Sequence, residues 1–282
     1  MMRRFYILSI FILIATIGYG QFIGKDGVSK ALFYLQKNEL DSAKKYIDEA
    51  EKDETTNTLP KTWYYRALIY KDAYKLYEKE DKNSPLRATA VVALNKLTGL
   101  DKENEFTESA QKMMTYLAST YYNDAARSLN PATYKNAIEY YNKYKELMTL
   151  AKSQSDLKQQ DVKFNLALAS MLNQNLEKET KKDSLKVLEV KNIYQSVLDI
   201  DSNNGSANYS IGILYYNESA DIINNMDYDM DLEQLDKYQD ICTDLFLKAL
   251  PYMLKCHEIK YNLNETLIGL INIYHGLNDP EK

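Results

Sequence analysis

The feature that most constrains the fold is an apolar stripe, spaced by four and then three residues, that occurs five times along the chain. This spacing places the three residues of each stripe on one face of an α-helix. The stripes are Ala43, Ile47, Ala50; Ala90, Leu94, Leu97; Ala137, Tyr141, Tyr144; Val190, Tyr194, Val197; and Ala249, Met253, Cys256. The chain contains only 9 Gly and 5 Pro, which is few for a β-rich fold with many tight turns. We therefore predict an all-α fold.

A second helical pattern alternates with the first and is centred on a small residue. The clearest example is NNGSANYSIGILYY (203–216), in which a glycine lies among large side chains. A glycine inside a helix costs about 1 kcal/mol relative to alanine, but it lets a second helix approach closely. The small residues, each with a tyrosine three positions later, are Ala31, Ala67, Ala118 and Gly212. We predict that paired helices cross at these four residues.

The segment NYSIGILYY resembles the first-helix motif of the tetratricopeptide repeat (TPR) family, with Ile211, Gly212 and Tyr215 at its Leu, Gly and Tyr positions. That family repeats a helix pair of about 34 residues. The spacing fits, because Ala31 to Ala43 is 12 residues, Val190 to Gly212 is 22, and the two sum to 34. The 22-residue spacing recurs from Ala249 to Ile271.

The resemblance covers residues 25–279 and implies a right-handed α-solenoid of about five TPR-like helix pairs. A last helix, ETLIGLINIYHGL (265–277), would follow the fifth pair as a C-terminal cap. Because terminal elements of such arrays have a polar outer face, we expect one on this helix. We also expect the stretch between the members of the fifth pair, residues 217–231, to be mobile and to offer a second contact surface.

Residues 1–20 are predicted to be a signal peptide. A basic start, MMRR, precedes the apolar run FYILSIFILIATI and a Gly18-Tyr19-Gly20 cleavage site. Cleavage before Gln21 leaves 282 − 20 = 262 residues as one helical domain over 21–282, and it changes the formal charge from -5 to -7. The protein would be exported to the periplasm or cell envelope, and it would not be a lipoprotein because no cysteine follows the run. The alternative is an uncleaved membrane anchor.

Two motifs suggest metal binding but depart from the patterns that metals require. CHEIKY (256–261) begins like the zinc motif H-E-x-x-H but has Tyr261 at the fifth position. We therefore expect His257 to be a surface residue near a helix end. MDYDMDLEQLDKY (226–238) begins like a calcium loop, but Leu232 replaces the glycine and Tyr238 the final glutamate. We expect an acidic link into a helix that starts near Leu232.

Nothing else in the chain predicts an enzyme or a cofactor. It contains no glycine-rich phosphate loop, no G-x-S-x-G and no C-x-x-C. Cys242 and Cys256 lie 14 residues apart in one predicted helix. At 1.5 Å per residue this is about 21 Å, too far for a disulfide, so we expect two buried thiols.

The 25 tyrosines are the feature of the sequence that says most about function. Through the resemblance, several first-helix side chains would line a concave groove: Tyr64, Leu68, Tyr122, Tyr209, Ile213 and Tyr216. Tyrosine is a favoured interface residue, so we predict a scaffold that binds a protein or peptide there. The acidic charge argues against nucleic acid and anionic membranes. Alternatives are a helical protein that binds a small molecule or glycan on these tyrosines, an enzyme whose site the motifs do not show, or tyrosines that only fill space.

Overall fold

The computed structural model describes residues 26–153, 155–179, 183–227 and 229–278, so the predicted signal peptide lies outside it. Within these ranges the chain forms eleven α-helices and no strand, which confirms the all-α prediction. The helices are α1 Gly27–Gln36, α2 Leu40–Lys52, α3 Pro60–Ala73, α4 Pro85–Leu100, α5 Thr107–Arg127, α6 Tyr134–Leu150, α7 Leu157–Leu176, α8 Ser184–Leu198, α9 Gly205–Asn224, α10 Leu232–Glu258 and α11 Leu263–Gly276. A π-helical turn, Tyr74–Glu78, continues α3.

Short polar caps set several of the helix boundaries. The side chains of Ser84, Asn204 and Asp231 each accept a hydrogen bond from the backbone N–H three residues later, which satisfies a free donor at the start of α4, α9 and α10. The start of α10 at Leu232 confirms the helix start predicted there. After α1, Asn38 adopts φ of 58°, a left-handed conformation that asparagine tolerates and that ends a helix. Asn104, in the turn between α4 and α5, has the same φ.

The described residues divide into two compact units, in which helices pack on their neighbours in the chain. The first unit extends to Asp124 and includes Tyr140–Ser153; the second comprises Ala125–Glu139 and the described residues from 155 onward. In the first, α1 packs on α2, α2 on α3 and α3 on α4, and α1 also contacts α3. In the second, each helix from α7 to α10 packs on the next, and α9 also contacts α11. We refer to the odd-numbered helices as first helices and the even-numbered ones as second helices.

The five predicted stripes form the buried faces of the second helices. All of their residues are at most 8% exposed, the value for Tyr144. The small residues Ala31, Ala67 and Ala118 are completely buried on α1, α3 and α5. Both helical patterns in the sequence therefore mark buried faces of the helices.

The glycine at position 212 is explained by the methionine opposite it. A Cβ at Gly212 would lie 2.7 Å from Sδ and 2.9 Å from Cγ of Met253, and a Cβ at Gly269 would lie 2.5 Å from Cε of the same side chain. Met253 is fully buried on α10 between two first helices, α9 and α11. The two glycines thus make the space that this side chain fills.

The predicted register of α11 is wrong by two residues. The 22-residue spacing put Ile271 at the small-residue position, but Ile271 is 65% exposed and Gly269 faces Met253 instead. The turn between α10 and α11 is the reason. It comprises residues 259–262, four residues, whereas the turn between α8 and α9 comprises 199–204, six residues.

Two further expectations differ from the structure. The outer face of α11 is only partly polar, because Ile268, 60% exposed, and Ile271, 65% exposed, lie among exposed polar residues such as Glu265. In the stretch expected to be mobile, residues 217–224 instead continue α9, and Ser219 is fully buried. The long spacing between the members of the fifth pair therefore comes mainly from longer helices.

A buried ion pair, which the sequence patterns did not indicate, joins α4 to α5. Arg87 is 1% exposed, and its Nη1 donates to Oδ2 of Asp124 at 2.7 Å and to Oγ1 of Thr120 at 3.1 Å. The guanidinium also lies 3.9 Å from the ring centre of Tyr121 and 5.3 Å from that of Tyr74. One residue therefore ties the π-helical turn, α4 and α5 together.

No helix in the described part of the chain is both long and apolar enough to cross a membrane.

We predict opposite effects of the same substitution at two glycines. Gly212→Ala should lower the free energy of unfolding by about 1 kcal/mol, because overpacking Met253 outweighs the gain in helix propensity. Gly99→Ala on α4 should raise it by about 0.5–1 kcal/mol, because nothing lies within 4 Å of a Cβ there. Urea denaturation followed by circular dichroism measures both. Stabilisation by Gly212→Ala would contradict the close-approach explanation.

Removing one partner of the buried ion pair should be strongly destabilising. Asp124→Ala leaves the Arg87 charge buried and uncompensated, so we expect a loss of about 3–5 kcal/mol in the free energy of unfolding. Glu108→Ala, which breaks the exposed pair with Lys112, is the matched control and should change the free energy of unfolding far less, because solvent screens this pair. Equal effects of the two substitutions would mean that Arg87 is solvated in solution.

Candidate functional site

A concave site in the second unit lies where α9, α10 and α11 meet. It is a cleft of about 300 Å³. Its lining residues come from all three helices: Tyr216, Ala220, Ile223 and Asn224 of α9, Phe246 of α10, and Asn272, His275 and Gly276 of α11. Two first helices and one second helix therefore supply its walls.

The interior of the cleft depends on small residues that leave room for aromatic rings. A Cβ at Gly276 would lie 2.4 Å from Cε2 of Phe246, so only glycine lets this ring lie against the end of α11. Phe246 is 4% exposed, and its ring centre is 5.9 Å from that of Tyr216. Ile223 projects beside them and is 45% exposed. The cleft thus has an aromatic interior and an accessible aliphatic edge.

The polar groups of the cleft are uncharged amides and one histidine. Asn224, Asn272 and His275 are all exposed, and no Asp, Glu, Lys or Arg is among the lining residues. Amides can donate to and accept from a peptide backbone, while the aromatic interior favours an apolar side chain. The site is therefore suited to bind an apolar side chain of a peptide together with the peptide backbone on either side of it.

Of the three site residues predicted on α9, only Tyr216 lines this cleft. Tyr209 and Ile213 are half-buried and pack against the same core cluster, which contains Phe246, Met253 and other residues of α10 and α11. The ring centre of Tyr209 lies 6.2 Å from that of Tyr261. Burial raises the pKa of the Tyr209 hydroxyl, and the nearby carboxylate of Glu265 raises it further.

The three predicted residues of the first unit lie on α3 and α5. Tyr64 and Leu68 are half-buried one turn apart on α3, and the Tyr64 ring stacks on Phe106 with centres 4.5 Å apart. Tyr122 on α5 is 36% exposed, and its ring centre is 5.1 Å from that of Tyr144. These tyrosines therefore already contact rings of neighbouring segments, and Tyr122 is the most accessible of the three.

A second cleft, between the first helices α3 and α5, differs in charge. Its volume is about 190 Å³, and its lining residues are Lys71, Asp72, Lys75, Lys112, Met113 and Tyr116. Lys71 pairs with Asp72 at 2.9 Å, and Lys112 pairs with Glu108 outside the lining. Three lysines and one aspartate give the lining a net positive charge, which suits an acidic group.

Sequence reasoning missed the lysine cleft and most of the α9–α11 cleft. Lys71 and Lys75 lie four and eight residues after the crossing residue Ala67, so following the first-helix face further would have found them. No pattern in the sequence indicated Phe246 and His275, because their common position in the cleft depends on how α10 packs on α11.

The structure places the candidate metal-binding histidine at the surface and both cysteines in the interior. His257 is exposed in the last turn of α10, as predicted. Within the described ranges, no three His, Cys, Asp or Glu side chains come close enough together to hold a metal ion. Cys242 and Cys256 are free and buried, which confirms the prediction of two buried thiols. Burial raises the pKa of Cys256 to about 11.

No protein-family model matches this chain, and a comparison with curated proteins finds no relative. We therefore infer its function from the geometry of the clefts.

We predict that neither thiol reacts in the native protein. At about pH 8 the buried Cys256 stays protonated, and the thiolate is the reactive form. Ellman's reagent should label no thiol within minutes, but both after unfolding in urea. Rapid labelling of one thiol in the native protein would contradict the burial of Cys242 and Cys256.

Proposed function

We propose that the protein is an exported, TPR-like scaffold that binds a protein or peptide partner through its first helices. In this proposal residues 21–282 form a right-handed α-solenoid in the periplasm or cell envelope. The observation that carries the binding function is the α9–α11 cleft, with its aromatic interior and uncharged polar rim. Interfaces concentrate binding energy in such pockets, which take an aromatic or aliphatic anchor and surround it with polar contacts.

The packing of the helices supports the repeat architecture of the proposal. α1 contacts α3 and α9 contacts α11, in addition to the second helix between them. Neighbouring first helices therefore line up side by side within each unit, and both clefts described above lie between first helices. In TPR-like arrays such first-helix surfaces form the concave binding face.

The size of the cleft favours a peptide side chain over a whole small molecule. At about 300 Å³ it is at the lower end of the range for small-molecule sites, roughly 300–1,000 Å³. A small molecule or glycan stacked on Tyr216 is the alternative function. It requires a ligand that is largely enclosed, whereas Ile223, Asn224 and His275 all lie open to solvent.

The partner can be identified by photo-crosslinking in cells that export the whole chain. A photo-crosslinking amino acid at the rim position of Asn224 should capture one protein reproducibly, read by mass spectrometry. The same amino acid in place of Val92, which is 62% exposed on α4, is the control and should not capture it. Equal capture from both positions would argue against the cleft.

We predict that Ile223→Asp weakens binding of the identified partner at least about tenfold, because a charge replaces an apolar contact at the cleft edge. Leu188→Asp on α8 is the matched control, since Leu188 is 50% and Ile223 45% exposed. Isothermal titration calorimetry measures both, and circular dichroism checks that helicity is unchanged. Unchanged affinity for Ile223→Asp would overturn the site; a co-purifying small molecule whose binding is lost in this variant would favour the alternative function.

A further inference from the structure

One lysine of the cleft between α3 and α5 carries a charge that no neighbouring carboxylate neutralises. Lys71 pairs with Asp72 at 2.9 Å, and Lys112 pairs with Glu108. Lys75 lines the same cleft and is exposed, and it makes no ion pair with any residue that the structure describes. These three lysines and two carboxylates therefore leave one positive charge, and it lies on Lys75.

Lys75 lies in the π-helical turn that continues α3, and this turn is anchored at both ends. At its start Tyr74 is 1% exposed, and its ring centre lies 5.3 Å from the buried guanidinium of Arg87. At its end the carboxylate of Glu78 accepts a hydrogen bond from Oγ of Ser84 at 2.6 Å. Such turns are rare and occur frequently at functional sites. Because the backbone is already ordered here, a ligand that binds Lys75 has less conformational entropy to overcome.

The α5 wall of the cleft supplies a neutral hydrogen-bond donor and an apolar surface. Tyr116 is half-buried, and its hydroxyl has no hydrogen-bond partner within the described part of the chain. Burial raises the pKa of this hydroxyl, and Tyr74 and Asp72 raise it further, so it stays protonated and can donate to an anion. Met113, in the same lining, is 6% exposed. An anionic group on a short aliphatic stem would use both features.

The size and charge of this cleft favour one carboxylate over larger or more highly charged groups. At about 190 Å³ it is smaller than small-molecule sites, which range over roughly 300–1,000 Å³, so it suits a single side chain. One uncompensated positive charge balances one carboxylate, whereas a phosphate monoester carries about two negative charges at neutral pH. A glutamate side chain has the required composition, namely two methylene groups and one carboxylate.

We propose that the cleft between α3 and α5 binds a glutamate side chain from an acidic segment of the partner protein. The ammonium group of Lys75 pairs with the carboxylate, and the Tyr116 hydroxyl donates a hydrogen bond to it. Met113 contacts the methylene groups. This inference rests on the proposed scaffold function, and it specifies the charge of a partner segment. It concerns a side-chain carboxylate, so a free carboxyl terminus is not required.

Fluorescence anisotropy with a synthetic peptide tests this cleft without the natural partner. The probe is a short glycine–serine peptide with central glutamate and leucine residues, an uncharged dye and both termini blocked, so only side chains carry charge. The natural protein should bind it saturably with a dissociation constant below about 1 mM at low ionic strength, and added salt should weaken binding. Lys75→Gln should weaken binding at least about tenfold because it removes the unneutralised charge, and Lys75→Arg should retain binding.

Two variants serve as matched controls. Lys102→Gln changes the net charge equally at an exposed position in the turn between α4 and α5, and it should leave peptide binding unchanged. Ile223→Asp alters the α9–α11 cleft and should also leave it unchanged, so a failure of this proposal is distinguishable from a failure of the proposed function. Lys75 is exposed and unpaired, so Lys75→Gln should not change the melting temperature.

Three outcomes would overturn the proposal. One is the absence of saturable binding up to about 1 mM protein. Another is equal binding of a peptide with glutamine in place of glutamate, or equal effects of Lys75→Gln and Lys102→Gln, since either result means that the cleft does not recognise a carboxylate. The third is binding to phosphatidylglycerol vesicles that Lys75→Gln abolishes while the peptide does not bind, which would assign the cleft to a membrane surface.

Discussion

Close approach of neighbouring helices at small residues is the constraint on which the rest of this structure depends. Alanines on α1, α3 and α5 are completely buried at these places, and on α9 and α11 the small residues are glycines on either side of Met253. A glycine in a helix costs about 1 kcal/mol of propensity, but it admits a fully buried thioether that contacts two first helices. The α9–α11 cleft follows from the same arrangement, since Gly276 makes room for Phe246 in the way that Gly212 makes room for Met253.

The parts of the fold that could be predicted are those encoded by short-range periodicity. The five buried stripes, the alanine crossings and the start of α10 all depend on residues within one or two helical turns, and all were found. The register of α11 depended on a turn two residues shorter than the earlier one, which no periodic pattern records. The contact between Arg87 and Asp124 joins residues 37 apart, so it had no local signal. The candidate site was likewise predictable only in part. Tyr216 was found from its helical position, whereas Phe246 and His275 come to the same cleft only through tertiary packing.

The lining residues of the two clefts indicate which ligand groups the first-helix surfaces can bind, which the number of tyrosines alone did not indicate. One, between α3 and α5, is lined by three lysines; the other, among α9, α10 and α11, is aromatic inside and uncharged at its rim. The tyrosines expected to face a partner also contact neighbouring rings, as Tyr64 does Phe106. The accessible groups beside them can contact a ligand. We therefore expect a partner segment with an apolar anchor for the aromatic cleft and acidic groups for the lysine cleft.

We propose that the first-helix surface, and not the second helices, contacts the partner. Hydrogen–deuterium exchange of the full chain, alone and bound to its crosslink-identified partner, tests this most directly because it surveys every helix at once. On binding, we expect slower exchange at residues 216–224 of α9 and 272–276 of α11, with little change along α2, α4 and α8. Protection confined to the second helices, with α9 and α11 unchanged, would contradict it.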